Sequence, residues 1–185
     1  MKNLLLIFSG PSGVGKGTIL QELRKDGNFI DSVSCTTRSP REGELNGREY
    51  FFVSSEQFKN MIERGELLEY DEHFGNFYGT PRAFVEEKLQ SYDVILEIEV
   101  NGALSVKRAY PSAVLIFIAP PSVQELKSRL IGRGSEDIEK IENRLARLDY
   151  ELSKKGEYDF VVVNDNLMEA VEEIKSIIKA QRAII

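Results

Sequence analysis

Cysteine and histidine are almost absent from this 185-residue chain, which contains one of each, Cys35 and His73. A single thiol excludes an intrachain disulfide and a metal site built from several thiolates. One imidazole leaves little room for a histidine-centred metal site, and a Ser-His-Asp arrangement would depend wholly on His73. The chemistry of the protein is therefore expected to rest on other residue types.

The chain also lacks a long apolar run and an excess of basic residues. No stretch approaches the ~20 apolar residues that a membrane-spanning helix needs. Residues 4–8 are apolar but run into a glycine-rich loop without a small-residue cleavage site, so we interpret them as a buried strand and expect a cytoplasmic protein. The formal net charge of −6 argues against nucleic-acid or anionic-membrane partners, while a local basic cluster could still bind a small polyanion.

Short apolar runs alternate with longer helical patterns, an order typical of a mostly parallel α/β sheet. The periodicity predicts strands at 4–8, 94–100, 114–118 and 159–163, and helices at 16–25 and from 167 to about 180. Capping patterns mark three further helix starts: Ser54 with Gln57, Ser122 with Glu125, and Thr80 before Pro81.

Two segments interrupt the alternation. Residues 34–84 are rich in Gly, Arg, Tyr and Thr, with strand-like pieces at 49–53 and 67–74, which indicates a small mixed or antiparallel insertion. Residues 122–156 form a charged helical stretch with a break at 132–135, where we expect a hinge. We predict one domain: a core with two insertions that close over a substrate.

The strongest motif follows the first predicted strand and opens the first helix. It reads Gly10-Pro11-Ser12-Gly13-Val14-Gly15-Lys16-Gly17-Thr18. Glycines let successive backbone N–H groups face one anion, the helix N-terminus adds favourable polarity, and the lysine reaches the outer phosphates. This spacing predicts a phosphate loop (P-loop) that binds a nucleoside triphosphate.

The loop departs from the usual pattern after its lysine. Serine or threonine normally follows and binds magnesium through its hydroxyl, whereas here Gly17 precedes Thr18. We therefore expect Mg²⁺ to be held by phosphate oxygens and waters without a direct protein ligand, and Thr18 to support the phosphates or those waters.

With the loop, five further segments resemble the guanylate kinase family in order along nearly the whole chain. They are 34–41 (Ser-Cys-Thr-Thr-Arg-Ser-Pro-Arg), 46–50 (Asn-Gly-Arg-Glu-Tyr), 76–80 (Asn-Phe-Tyr-Gly-Thr), 118–122 (Ile-Ala-Pro-Pro-Ser) and 162–165 (Val-Val-Asn-Asp). The resemblance implies a P-loop three-layer α/β fold and the transfer of phosphate from ATP to GMP with Mg²⁺. It implies a core of 1–33, 85–121 and 157–185, a GMP-binding segment of 34–84 and a helical lid of 122–156.

The resemblance also assigns an acceptor-phosphate site. Arg38 and Arg41 flank Pro40 in a stiffened loop, so two guanidinium groups can converge on one phosphate. By resemblance they bind the GMP phosphate with the hydroxyls of Tyr50 and Tyr78. The alternative is a pair of solvated loop arginines.

The guanine site follows from the same comparison. Guanine presents two donors, N1–H and an exocyclic NH₂, that one carboxylate can accept together, whereas adenine has an acceptor at N1. By resemblance Glu69 takes this role, with Ser34, Gly79 and Thr80 near the base. Many members have serine at the position of Thr80. The alternatives are that Thr80 caps the helix that follows Pro81 and that Glu69 is a solvated strand carboxylate.

Two carboxylates occupy the predicted strand 94–100. Glu97 and Glu99 are two residues apart, so on a strand they would share one face near its carboxyl end, where open α/β sheets bind ligands. By resemblance Glu97 contacts the guanine or ribose and Glu99 orders magnesium waters. Aspartate is common at both positions in the family, which leaves the division of roles open.

The remaining assignments lie in the predicted lid and after the last strand. By resemblance Arg133 and Arg144 meet ATP and the transferring phosphate, Arg129 is a weaker candidate, and Arg147 is expected on a solvated face. Asn164 would hydrogen-bond adenine or, alternatively, act as a turn residue or helix cap.

Three other functions compete with this interpretation. A phosphoprotein-binding module tends to have a degraded phosphate loop, a regulatory GTPase needs an Asn-Lys-x-Asp element that is absent here, and another nucleoside monophosphate kinase would lack the pairing of Glu69 with Ser34. We predict small-molecule substrates, with no nucleic acid, membrane or obligate protein partner. Because the attacking phosphate oxygen is already ionised, no general base is required.

Overall fold

The computed structural model describes residues 3–73, 75–126 and 148–184. In chain order, its main elements are β1 (Leu5–Ser9), α1 (Lys16–Asp26), β2 (Phe29–Asp31), β3 (Cys35–Thr36), β4 (Phe51–Phe52), α2 (Ser55–Glu63), β5 (Leu67–His73), β6 (Asn76–Pro81), α3 (Arg82–Lys88), β7 (Asp93–Glu97), α4 (Val100–Ala109), β8 (Val114–Ala119), β9 (Phe160–Val163) and α5 (Leu167–Arg182). A short 3₁₀ helix, Lys155–Glu157, precedes β9.

The central sheet has the strand order β2-β7-β1-β8-β9, and each neighbouring pair is parallel. The inner strands β1 and β8, and β7 up to Leu96, are buried on both faces, as parallel strands covered by helices require. Along β1, Leu6 and Phe8 pack on the side of α1 and α5, whereas Leu5 and Ile7 pack on the side of α4. This alternation produces three layers and confirms the predicted P-loop α/β fold.

The C-terminal helix α5 has a well-defined start and an apolar face. The side chain of Asn166 accepts hydrogen bonds from the backbone N–H groups of Met168 (2.9 Å) and Glu169 (3.3 Å), which satisfies two N–H groups that the helix leaves unpaired. Ile174 and Ile178, one turn apart, are buried against the sheet. The cap and the apolar face together fix the helix on the α1 side.

A second sheet is inserted between β2 and α3, with the order β4-β3-β6-β5. β3 pairs with β4 in parallel and with β6 antiparallel, and β5 and β6 form an antiparallel hairpin. The expected mixed insertion is therefore confirmed. The capping box before α2 is also present: Gln57 N donates to Ser54 Oγ (3.1 Å), and Ser54 N donates to Gln57 Oε1 (2.8 Å).

Two local predictions are wrong. The strand predicted at 94–100 ends at Glu97, and Glu99 occupies the N-cap position of α4; Val100, Ala103 and Val106 instead form the buried face of that helix. Glu97 and Glu99 therefore do not share a strand face. Thr80 does not cap a helix, because it lies in β6 and α3 begins at Arg82 without a side-chain cap bond.

Among the helices of the described residues, none combines the length and the apolar character that a transmembrane span requires.

Candidate nucleotide site

The phosphate loop connects β1 to α1 at the carboxyl edge of the central sheet. Gly10 has φ of 148°, and a Cβ there would lie 2.2 Å from the carbonyl oxygen of Ile118 in β8. Gly15, at the N-cap of α1, has φ of 96°, in the region that favours glycine. Backbone conformation and close packing thus explain why glycine occupies both positions, and the first N–H groups of α1 are left to bind an anion.

Lys16 folds back over this loop. Its Nζ donates to the carbonyl oxygens of Gly10 (2.6 Å) and Pro11 (3.4 Å). Burial lowers the pKa of Lys16, and the negative charges of Glu97, Glu151 and Glu99 act in the opposite direction. The ammonium group is thereby held beside the loop by neutral carbonyls that an anionic phosphate can replace.

Asn164 connects the loop to the far end of the chain. Its Nδ2 donates to Val14 O (2.8 Å), its backbone N donates to Ala119 O (2.9 Å), and the residue is buried. A Cβ on Gly15 would lie 2.5 Å from the same Nδ2. The cap of α5 is Asn166 rather than Asn164, so in this structure Asn164 supports the loop; its predicted contact with adenine stays a prediction.

Glu97 marks the point where the two sheets approach each other. It pairs with Phe8 at the end of β1, contributes to the electrostatic environment of Lys16, and also lines a cavity on the side of the second sheet. Glu99 contributes to the same environment from the N-cap of α4. Both side chains are exposed, so water has access to these carboxylates.

The cavity, of about 210 Å³, lies between the central sheet and the inserted sheet. It is lined by Arg24, Asp31, Ser32, Ser34, Glu49, Tyr50, Thr80, Ile95, Leu96, Glu97 and Ile98. Four predicted acceptor-site residues, Ser34, Tyr50, Thr80 and Glu97, are therefore brought together, although 63 residues separate the first and last of them.

Glu69 projects from β5 toward β6 in the same region. Thr80 Oγ1 donates to its Oε1 at 2.5 Å. Burial raises the pKa of the Glu69 carboxyl, and the hydrogen bond from Thr80 opposes this shift. A carboxylate held in a site that disfavours its charge gains from a ligand that supplies hydrogen-bond donors.

Arg38 forms the centre of a second cluster, made of aromatic and charged side chains. Its guanidinium lies 5.5 Å from the ring centre of Tyr50 and 5.7 Å from that of Phe52, and Tyr50 is in edge contact with Tyr78 at 5.8 Å. Three predicted phosphate-binding residues thus lie together. Arg41, the fourth, is exposed on the neighbouring loop.

Glu44 is a member of this cluster that the sequence analysis did not identify. Its Oε2 accepts from Nη1 of Arg38 (3.0 Å) and from the backbone N of Arg41 (2.7 Å), and its Oε1 accepts from Nη2 of Arg38 (2.9 Å). These bonds lower the pKa of Glu44, and the hydrogen bond from Arg38 has the largest effect. The same pair raises the pKa of Arg38. The sequence pattern that could have identified Glu44 is an acidic residue three positions after an arginine, here Arg41, in a loop.

The described residues, 3–73, 75–126 and 148–184, contain no group of three or more His, Cys, Asp or Glu side chains placed to hold a metal ion. Four predicted lid arginines, Arg129, Arg133, Arg144 and Arg147, lie outside those residues. Glu151 is buried in the helical segment 148–153 and contributes to the environment of Lys16. It is a second residue that the sequence analysis did not identify.

The known proteins that this chain resembles in sequence are guanylate kinases. The family model described as guanylate kinase matches residues 2–181. The guanylate kinase of Streptococcus thermophilus is 50% identical over 183 residues, which cover 97% of this chain and 88% of that protein. The guanylate kinase of Halalkalibacterium halodurans is 52% identical over 182 residues, with coverage of 97% and 89%.

A solved structure supports the same relationship. The crystal structure of guanylate kinase from Anaplasma phagocytophilum has 35% sequence identity and a TM-score of 0.74, and the match covers 97% of this chain and 86% of that one.

Proposed function

The chain belongs to the guanylate kinase family, and we propose that it transfers the γ-phosphate of ATP to GMP, giving ADP and GDP, in purine nucleotide metabolism. One observation supports this proposal: Lys16 at the phosphate loop and Arg38 in its cluster are two separate cationic side chains, and a polar cavity lined by Glu97 lies between the central sheet and the inserted sheet. An enzyme that joins two phosphate groups needs two such sites, whereas a GTPase needs one.

In the donor site, the loop residues 10–18 bind the triphosphate of ATP. Lys16 exchanges its bonds with the carbonyl oxygens of Gly10 and Pro11 for bonds with the outer phosphates. Asn164 lies directly behind the loop and is also our candidate for contact with adenine. Arg133 and Arg144 of the proposed lid complete the site by neutralising charge on the transferring group.

In the acceptor site, Arg38, Arg41, Tyr50 and Tyr78 bind the GMP phosphate. Glu44 occupies the Nη1–Nη2 edge of the Arg38 guanidinium, and a hydrogen bond to Tyr78 contributes to the raised pKa of Arg38. A guanidinium has a second fork, formed by Nε and the other Nη2 hydrogen. We assign that second fork to the phosphate.

The base pocket selects guanine. Glu69 accepts from N1–H and the exocyclic NH₂, while Ser34, Gly79 and Thr80 line the pocket and Glu97 contacts the guanine or ribose side. The hydrogen bond from Thr80 fixes Oε1 of Glu69, and the burial that raises the pKa of Glu69 makes two further donors worth more than they would be in water.

The reaction depends on alignment and charge neutralisation. The attacking oxygen belongs to an ionised phosphate, so the protein need not remove a proton from it. Mg²⁺ bound together with ATP would neutralise negative charge that develops during the transfer. The exposed carboxylates of Glu97 and Glu99 and the exposed hydroxyl of Thr18 suit hydrogen bonds to waters on such an ion, while Lys16, Arg38 and Arg41 orient the two phosphates.

An ADP-release assay with ATP and each of GMP, AMP, CMP and UMP tests the function. We expect turnover with GMP to exceed that with the other three nucleotides. Preference for AMP would contradict the base assignment. Absence of turnover with all four would indicate a binding module of the same fold.

Replacing Glu44 by Gln is expected to raise the KM for GMP about tenfold and to leave the KM for ATP within about twofold of wild type. The amide retains the shape of Glu44 but loses the charge and one acceptor, so the guanidinium of Arg38 is held less firmly. Steady-state kinetics with each substrate varied in turn measures both constants.

Glu22→Gln is the matched control, because it breaks a surface ion pair with Lys25 away from the cluster. An unchanged KM for GMP in Glu44→Gln would contradict a positioning role, and a lowered KM would indicate that Glu44 competes with the phosphate.

A further inference from the structure

Gly102 occupies the third residue of α4 and is buried. Glycine destabilises a helix relative to alanine, because it loses more backbone freedom on folding. Its φ is not among the positive values of this chain, so the backbone conformation does not require glycine. The reason for its presence must lie in what surrounds it.

The side chain of Glu69 lies closest to the position that a side chain on Gly102 would occupy. A Cβ built on Gly102 would lie 2.8 Å from Oε2, 3.3 Å from Cδ and 3.4 Å from Cγ of Glu69. Carbon and oxygen atoms that are not bonded do not approach to 2.8 Å without displacement. The backbone of α4 therefore forms one wall of the space that the Glu69 carboxylate fills.

The opposite side of the carboxylate is fixed as well. Thr80 Oγ1 donates to Oε1 at 2.5 Å. The three heavy atoms nearest to a Cβ at position 102 all belong to the Glu69 side chain, so a methyl group there would displace the carboxylate before it displaced the backbone.

We propose that Gly102 is a specificity-determining position, at which the absence of a side chain sets how the Glu69 carboxylate is presented to the guanine base. This inference rests on the proposed function. Guanine recognition requires both carboxylate oxygens to meet two donors at once, so a shift of one oxygen weakens the pair of bonds. Gly102 itself does not contact the base, and it acts through Glu69.

Gly102→Ala is the direct test. We expect the KM for GMP to rise about 10- to 100-fold, as for other displacements of a positioned group by about 1 Å, with the KM for ATP within about twofold of wild type. The preference for GMP over IMP, which lacks the exocyclic NH₂, is expected to fall by a similar factor. The Tm is expected to stay the same or to rise, because alanine favours the helix.

Two further variants separate sterics from stability. Ser105→Ala changes helix propensity one turn along α4, where Arg108 donates to the serine hydroxyl (2.9 Å), and is expected to keep the wild-type KM. In the double variant Gly102→Ala/Glu69→Asp, the shorter carboxylate makes room for the methyl group. Its KM for GMP is expected to lie well below the product of the two single effects.

The outcomes are distinguishable. If the wild-type protein phosphorylates GMP and Gly102→Ala retains its KM and its GMP/IMP ratio, the role of Gly102 is overturned. If Gly102→Ala lowers the Tm, a Tm in the double variant above the value expected from adding the two single effects, together with a KM below their product, supports the steric contact, and additive effects on both overturn it. If the wild-type protein does not phosphorylate GMP at all, the proposed function fails independently of these variants.

Discussion

Lys16→Ala is expected to lower kcat by a factor of about 100 to 1,000 or more while the protein stays folded. Lys16 places a positive charge beside the backbone of the phosphate loop, and loss of one preorganised electrostatic contact to a transition state has this order of effect. Its Nζ contacts only the backbone oxygens of Gly10 and Pro11 among the hydrogen bonds described above. Steady-state kinetics at saturating ATP and GMP measures the loss.

The stability of this variant follows from the pKa of Lys16. Burial lowers that pKa, so the charged form is less favourable in the folded protein than in the unfolded chain, and removal of the ammonium does not remove a favourable ionic contribution. We therefore expect a Tm close to that of the wild type.

Lys25→Ala, on the exposed end of the same helix and paired with Glu22, is the matched control and is expected to retain wild-type turnover. Wild-type turnover in Lys16→Ala would contradict the assignment of the loop.

Glu69→Gln is expected to lower kcat/KM for GMP at least about 100-fold and to raise the ratio of AMP to GMP activity. The amide turns one of the two acceptors into a donor, which faces a donor of guanine but complements N1 of adenine. Sites that pair buried polar groups discriminate strongly against a mismatch. The measurement is kcat/KM for GMP, AMP and IMP with ATP held at saturation.

The pH dependence of stability provides an internal control for Glu69→Gln. Because burial raises the pKa of Glu69 above its ordinary value of 4.5, the folded wild type binds a proton more tightly than the unfolded chain, and its stability falls as pH rises from about 4.5 through the raised pKa. A glutamine side chain does not titrate, so its contribution to stability does not depend on pH.

The variant is therefore expected to be at least as stable as the wild type at pH 7, with the difference decreasing at pH 4. Denaturant unfolding at both pH values measures this. A variant that is less stable at pH 7 and equally selective for GMP would contradict the assignment of a buried, base-reading carboxylate.

The features predicted correctly from the sequence are those encoded by local spacing. The glycines and Lys16 of the loop, the fully buried β8 and the periodic apolar face of α5 each carry their signal within a few residues. The order of the motifs along the chain resembles that of the guanylate kinase family, and membership of this family is confirmed. Residue roles in the site stay predictions.

The errors arise where a nonlocal contact decides the local structure. The β-branched run ending at Val100 reads as one strand, but Val100, Ala103 and Val106 are buried in one cluster with residues of β1, and the end of the run is helical. Thr80 precedes a proline as a cap would, yet its hydroxyl donates to Glu69, which lies eleven residues earlier on the neighbouring strand. The spacing of Glu44 from Arg41 is only a weak signal for the Arg38–Glu44 pair, and the contact between Gly102 and Glu69 has no spacing that identifies it in a single sequence.

The bond between Asn164 and Val14 has a consequence for the order of events during synthesis. The residues of the phosphate loop leave the ribosome early, but the side chain that supports their backbone follows 150 residues later. That hydrogen bond can form only after β9 has joined the sheet beside β8. A nucleotide that binds the completed loop therefore also stabilises the docking of β9. In this way, a ligand bound near the N-terminus favours folding of the C-terminal part of the chain.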